Sequence, residues 1–480
     1  MLWPRWIWLR ALGLIFLSAF YSLAFQITGL NGPNGILPAR EYLPELREAV
    51  GPIKALWYAP TLFWLSSSDA ALIAVVLLGA LASVLLTANI APRACIAIAL
   101  VCFLSFVGAA QDFASYQSDG MLLEAAFISL FLAPKGFRPR LGDTQPPRFV
   151  VFLLIWEWFR IYFESGVVKI LSGDPQWRSL TAMDHYYENG PLPSWVGWYV
   201  QQELPHGFHA ATVVLTFVLE LVVVLLAFAP RRARIACFLI VTPFQAAIIL
   251  TANYAFLNYI VLCLGVLLLD DEFLKRPQAS GLSLQAKPNY LRTAILVWIL
   301  YSTVVLAPGL SRALPRPLVW PAIALEPLRI ANRYGLFAVM TENRYEIEFQ
   351  GSRDGKTWTP YPFRYKPQDP RAAPGIYAPY QPRFEWNLWF ASLGGWRSYP
   401  WVVRTEMRLL EGSPEVLRLF ARDPFQGTLP AYVKAVKWQY WFTTPAEKRR
   451  TGEWWRRELL GLYAPALEKT DAGIRPIEMP

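Results

Sequence analysis

Cysteine is scarce. The chain of 480 residues has four, Cys95, Cys102, Cys237 and Cys263, and none follows residue 263. All four lie in apolar stretches and no two form a Cys-x-x-Cys pair. This excludes a disulfide-held C-terminal region and argues against thiol redox chemistry. Histidine is scarcer: His185, His206 and His209 are the three present. Together with Glu188 they match no standard zinc spacing, so neither a metal nor a cofactor is expected. There is no Gly-rich phosphate loop, nucleophile elbow or HExxH motif, which removes the usual sequence marks of nucleotide-binding and hydrolytic enzymes. Asn-x-Ser/Thr sequons are also absent. With no C-terminal cysteines either, this favours a bacterial envelope over an animal secretory pathway.

Charge is thin at 17%, against 55% hydrophobic and 15% aromatic residues, including 21 Trp. Apolar runs suggest nine membrane spans at roughly 11–28, 69–88, 94–110, 116–133, 149–171, 208–229, 235–251, 255–269 and 291–308. The first is read as an uncleaved helix, because no small-residue cleavage site precedes polar sequence. With the N-terminus cytoplasmic, inner segments hold Arg5, Arg10, Arg93, Lys135, Arg138, Arg140, Arg148, Arg231, Arg232, Arg234, Lys275, Arg276 and Lys287. Outer loops hold only Arg40, Arg47, Lys54 and Arg178. The excess inside follows the positive-inside rule and puts everything after about residue 309 outside. The net charge of +10 thus reads as topology, and no nucleic-acid partner is expected.

Against this background the charges inside spans stand out. Glu157, Arg160 and Glu164 share one helix face at i, i+3 and i+7. An ionised group in hydrocarbon costs at least about 2.5–3.5 kcal/mol, so such groups pair with each other or line a wet cavity. The triad reads either as a structural clasp or as the wall of an intramembrane site. Glu124, two turns inside the fourth span, needs a partner, with Gln117 on the same face. Lys169 either supplies that partner or snorkels to the interface. Asp119 and Ser118 are candidate helix caps. Glu220, Gln245 and Asn258 suggest interhelical hydrogen bonds.

The outer loop 172–207 contains Asp174, Trp177, Arg178, His185, Tyr187 and Glu188. Its Trp and Tyr suit a membrane interface, so it should fold against the bundle. Beyond residue 329 the pattern changes. Residues 344–350 alternate with period two, Asp354-Gly355 is a hairpin turn, and Tyr361, Phe363 and Tyr365 alternate again. Residues 432–442 suggest a later strand, while 386–393 and 400–421 look helical.

Several blocks then resemble the lipase maturation factor family: YQSDGMLLE at 116–124, GDPQWRSLT at 173–181, HYYENGPLP at 185–193 and NYAFLN at 253–258. LLDD at 268–271, NRYGLFAVMT at 332–341, QGSRDG at 350–355 and APYQPRFEWNLWFA at 378–391 extend the resemblance over nearly the whole chain in order. The resemblance implies a multi-pass membrane protein. Animal members reside in the endoplasmic reticulum and help dimeric lipases fold and assemble, with the C-terminal region implicated in handling lipase. The membrane half is also remotely similar to the bundle of vitamin K-dependent carboxylases. Where the animal pattern has Cys before Trp in the GDPxWR block, this chain has Gln176. That block therefore does not work through a thiol here.

The expected architecture is an α-helical polytopic membrane bundle, 1–310, with outer loops 29–68 and 172–207. A linker at 311–329 precedes a β-rich, sandwich-like domain at 330–480 with helical insertions. The expected setting is a bacterial inner membrane, in contact with membrane lipids. The expected function is non-enzymatic assistance to folding or assembly of exported client proteins such as lipases. Trp386, Trp389, Phe390 and Trp396 are the candidate client anchors. The alternative is a membrane-embedded enzyme acting on a lipid or quinone-like molecule through Glu124, Lys169 and the Glu157–Arg160–Glu164 group. That alternative requires Glu124, Arg160 and Lys169 to converge on one opening.

Overall fold

The computed structural model describes residues 1–114, 116–275 and 289–478. Arg276 and Lys287, counted among the inner basic residues, lie outside the described residues, as does the last part of the C-terminal region, 479–480. Each expected apolar run forms a helix: α1 Leu2–Ala24, α2 Asp69–Thr87, α3 Pro92–Ala109, α4 Gln117–Leu132, α5 Arg148–Ser172, α6 His206–Leu221, α7 Arg231–Thr251, α8 Leu257–Gly265 and α9 Tyr290–Val305. Among the described residues, length and apolarity alone mark five segments as able to cross a membrane: α1, α2, α3, α6 with its 3-10 extension to Phe228, and α7. The run at α8 and the helix α9 are shorter. Outward faces are apolar, as at Leu77 and Leu81 of α2 and Leu239 of α7, which suits contact with lipid chains.

One boundary differs materially. The first helix begins at Leu2, not near residue 11, so Arg5 and Arg10 lie inside it and are buried. The cations are accommodated locally. Arg5 donates to Thr144 Oγ1 (3.1 Å) and Leu141 O (3.0 Å), and Arg10 lies 4.4 Å from the Trp6 ring centroid. The same end of the bundle gathers other polar contacts. Asp271 accepts from the Leu2 and Trp3 amides, Arg93 donates to Ala133 O, and Arg231 pairs with Asp270. The start of α1, the α4–α5 connection and the end of the α8 run therefore share one end, the one carrying most loop cations.

The C-terminal region forms one antiparallel sheet: β1 Arg344–Ser352, β2 Thr359–Pro360, β3 Tyr432–Phe442, β4 Trp455–Leu462, β5 Ala466–Thr470 and β6 Gly473–Ile477. The order is β2-β1-β3-β5-β6, with β4 also on β3. Alternation places Ile347 and Phe349 on one buried face of β1. The hairpin turn falls where Asp354-Gly355 puts it: the Asp354 carboxylate accepts the Lys356 and Thr357 amides, and Gly355 takes φ +70°. Two helices, α10 Arg383–Ser392 and α11 Trp401–Glu411, form the second layer against β1 and β3, where a sandwich would have a second sheet. The alternation at 361–365 does not become a strand. The Glu385 carboxylate takes the amides of Arg364, Tyr365 and Lys366 at 2.9, 2.8 and 2.7 Å, which removes them from any ladder.

Glu406 of α11 is fully buried and forms no ion pair among the described residues. Burial pushes its carboxyl well above the usual range, partly offset by the Ala435 backbone. The folded domain therefore holds a proton that the unfolded chain releases above about pH 4.3. Stability should fall as pH rises from there toward the raised folded value, by up to about 1.4 kcal/mol per pH unit. Glu406→Gln should flatten that slope in thermal unfolding of the full chain between pH 5 and 8; an unchanged slope would contradict it.

Candidate functional site: a polar socket between bundle and sheet domain

Residues 331–341 have no regular secondary structure, yet they run against the ends of α4 and α5. A buried irregular segment must find partners for its amides and carbonyls outside itself. The charged residues of the bundle provide them. Glu124 accepts from the Asn332 amide at 2.9 Å and from its side-chain nitrogen at 3.2 Å. Arg160 forms an ion pair with Glu124 and donates to Asn332 O at 2.7 Å. Glu164 accepts from the Tyr334 amide at 2.7 Å and lies 3.8 Å from Arg160. Gln117 accepts from the Gly335 amide at 2.9 Å. At Gly120 a Cβ would come within 2.6 Å of the Asn332 side chain, so this approach leaves no room for a larger residue.

The outer-loop motif continues the socket. Asp174 caps the turn at Pro175–Arg178 through the Gln176 amide and also accepts from the Met340 amide at 2.6 Å. Gln176, at the position of the missing thiol, donates to Met340 O at 3.1 Å, and Trp177 Nε1 donates to Phe337 O at 3.0 Å. Glu188 accepts from the Phe442 amide at 2.9 Å, so it reaches the end of β3. Arg344, at the start of β1, returns to the loop through the carbonyls of Glu188, Gly190 and Pro191.

A second clamp lies at α10. Arg383 makes a two-pronged pair with Asp119 at 2.7 and 2.8 Å and donates to Phe113 O. Its guanidinium stacks 4.7 Å from the Phe106 ring centroid. Asp119 is therefore not the helix cap: the N-cap position is Tyr116, with no side-chain bond, and the Asp119 carboxylate is drawn to the stronger cationic partner. Trp386 is buried against Tyr116 and Tyr254, which corrects its reading as a client anchor. Phe390 is partly exposed beside Tyr116, Trp389 packs on Phe390, and Trp396 lies half-buried under Arg397.

Of the group on one face of α5, Arg160 stays beside Glu164, but its shorter contact is across the bundle. Arg160 turns to Glu124 on the neighbouring helix, and Glu157 is buried with neither oxygen in hydrogen-bond geometry to a donor among the described residues, although the Ala125 backbone lies nearby. Lys169 is not the partner of Glu124. It binds both oxygens of Glu220 on α6 at 2.7 and 2.9 Å, in the wall of a cavity. Glu124, Arg160 and Lys169 thus do not converge on one opening; Lys169 alone of the three lines that cavity. Tyr162 donates to Gln245 at 2.8 Å, and Gln245 donates to Asn258 O at 3.4 Å, as the interhelical reading anticipated. Arg178 is exposed, Tyr187 is buried against the His209 ring, His185 lies 3.5 Å from Glu188, and His206 pairs with Asp184. Among the described residues no His, Cys, Asp and Glu group could hold a metal ion. Sequence reasoning missed the roles of Asn332, Arg344 and Arg383. Arg383, a lone cation between aromatic residues, was the one with a visible signal.

A helical membrane bundle whose buried charges grip the backbone and helices of an attached sheet domain defines a polytopic membrane protein built as one interlocked body. The chain belongs to the lipase maturation factor family. Residues 3–276 match the lipase maturation factor transmembrane domain and residues 330–465 the lipase maturation factor C-terminal domain. It is 32% identical to lipase maturation factor 2 of Homo sapiens, the match covering 98% of this chain and 83% of that protein. It is 31% identical to lipase maturation factor 1 of Bos taurus, covering 97% of this chain and 89% of that one. No solved structure matches the chain significantly.

Proposed function

We propose that this protein assists the folding or assembly of exported lipases, holding its sheet domain outside the cytoplasm on the membrane bundle. The observation that carries this reading is the end-to-end similarity to lipase maturation factors 1 and 2, through both domains. The socket supports it: Glu124, Arg160 and Lys169, the groups an intramembrane enzyme would use, are each held in ion pairs. A folding client needs apolar surface to meet. Leu459, Leu460 and Leu462 of β4 are exposed, and so are Phe390 and Leu393 near the end of α10. Tyr463 donates to Ala391 O at 2.7 Å, which brings these two groups to neighbouring parts of the domain.

The test is co-expression of an exported lipase with the full chain, measuring lipase activity per mass of lipase. The chain should raise that ratio, and the exposed-site changes Leu459→Asp and Leu462→Asp should lower it again at unchanged chain abundance. Equal ratios with and without the chain would overturn the proposal. The orientation rests on the clustering of loop cations at the bundle end opposite the sheet domain. A C-terminal reporter active only outside the cytoplasm should be active; activity of a cytoplasm-only reporter would reverse it. The shortage of sequons and cysteines supports a bacterial inner membrane as the setting.

A further inference from the structure

Where α1 ends and α2 begins, the bundle meets the sheet domain around a groove of about 600 Å³. That is within the roughly 300–1,000 Å³ typical of small-molecule sites. One wall is apolar: Tyr21 and Phe25 at the end of α1 and Ile73 in the second turn of α2, all three exposed. Leu14 and Leu77 continue it, exposed on the same helix faces two turns and one turn deeper. The 23 residues of α1 span about 34 Å at 1.5 Å per residue, close to the hydrocarbon thickness of roughly 30 Å. This wall therefore lies where hydrocarbon gives way to headgroups, a level that suits the Tyr21 ring.

The facing wall belongs to the sheet domain and is cationic. Arg364 and Arg418 line the groove, are exposed, and stand in no ion pair among the described residues. Arg364 Nη2 donates to Arg418 O at 3.3 Å, which gathers the two arginines on one side, and Tyr380 lies within electrostatic reach of Arg364. Glu385, the one acidic residue in the lining, spends both carboxylate oxygens on the amides of Arg364, Tyr365 and Lys366. Asp69 and Glu415 lie outside the lining, with a further cation, Arg40, beside Asp69. A phosphate thus finds two guanidinium forks, whose geometry matches its oxygens. A headgroup ammonium finds no free carboxylate in the lining to pair with.

We propose that this groove binds one anionic phospholipid from the leaflet on the sheet-domain side, its phosphate against Arg364 and Arg418 and its acyl chains running past Tyr21, Phe25 and Ile73. The cationic wall stands at headgroup level and the apolar wall leads into the bilayer, so each part of the lipid meets its own chemistry. A lipid held there bridges the bundle and the sheet domain. This binding site is separate from the lipase reading and stands or falls without it.

The probe is phosphatidylglycerol with a diazirine near the glycerol end of one acyl chain, mixed into phosphatidylcholine nanodiscs that hold the full-length protein, with cross-links mapped by peptide mass spectrometry. Peptides covering 21–28 and 376–384 should label roughly tenfold more than with the matching diazirine phosphatidylcholine, the worth of about one charge-assisted hydrogen bond. Arg364→Gln combined with Arg418→Gln should erase that preference. Both positions are exposed, so the interior stays intact. Labelling by phosphatidylglycerol near the exposed Arg231 and Arg232, at the other end of the bundle, should stay at the parent level and so report that the variant is folded. Unlabelled phosphatidylglycerol should compete at the groove, whereas millimolar inorganic phosphate should not. Equal labelling by the two lipids, a preference that survives both arginine changes, or displacement by inorganic phosphate, which would make this a site for the free anion, would each overturn the proposal.

Discussion

Arg160→Leu is expected to destabilise the full chain by about 3–5 kcal/mol, the cost of removing one partner from a buried ion pair. Arg160 is essentially inaccessible, and its loss leaves the Glu124 and Glu164 carboxylates buried without their cation while releasing Asn332 O. The damage should be local first. Protease should cut within 311–341 faster than in the parent, because the anchored segment loses its grip on the bundle. The double change Glu124→Gln with Arg160→Met should recover much of the loss, since the amide oxygen still accepts from Asn332 and one buried carboxylate is gone. Changing Glu157, Arg160 and Glu164 together to apolar residues, near neutral for a clasp confined to one helix, should not recover it, because Glu124 stays charged across the interface. Thermal unfolding in one detergent would rank the four proteins. Equal stability of the single and double variants would place the main role of Arg160 elsewhere.

Arg383→Met should have an effect of similar size, again about 3–5 kcal/mol. Arg383 is fully buried, holds both oxygens of Asp119, and stacks on Phe106 and Tyr116. Arg383→Lys should rescue little, because a single ammonium can reproduce neither the two parallel bonds nor the flat stacking surface. Pairing Arg383→Met with Asp119→Asn should restore part of the stability. The accompanying readout is cross-linking between cysteines placed in α4 and α10, which should fall in the single variant and return in the pair. If Lys substitutes fully, the clamp acts by charge alone.

Much of the scaffold was legible because it depends on local pattern. Apolar length marked the helices, alternation marked β1 and β3, and an Asp-Gly pair marked the turn from β1 to β2. The missed start of α1 shows the limit: Arg5 and Arg10 looked like the edge of a span, yet Thr144 and the Trp6 ring make them tolerable inside a helix. The failed strand at 361–365 is another case, decided by one carboxylate, Glu385, that belongs to a helix about twenty residues later.

By itself the sequence determined that this is a membrane bundle followed by a β-rich domain, and that Glu124 and the Glu157–Arg160–Glu164 group must pair or line a wet cavity. Hydrophobic period and the cost of an unpaired charge in hydrocarbon suffice for that. Only the tertiary structure decided which partners. Spacing along one helix ranks neighbours on that helix alone, whereas the strongest contacts here cross between elements: Arg160 to Glu124, Lys169 to Glu220, Asp119 to Arg383. The irregular segment at 331–341 settled the rest. Its free amides and carbonyls need external partners, and they recruit the side chains that one helix face had seemed to reserve for each other.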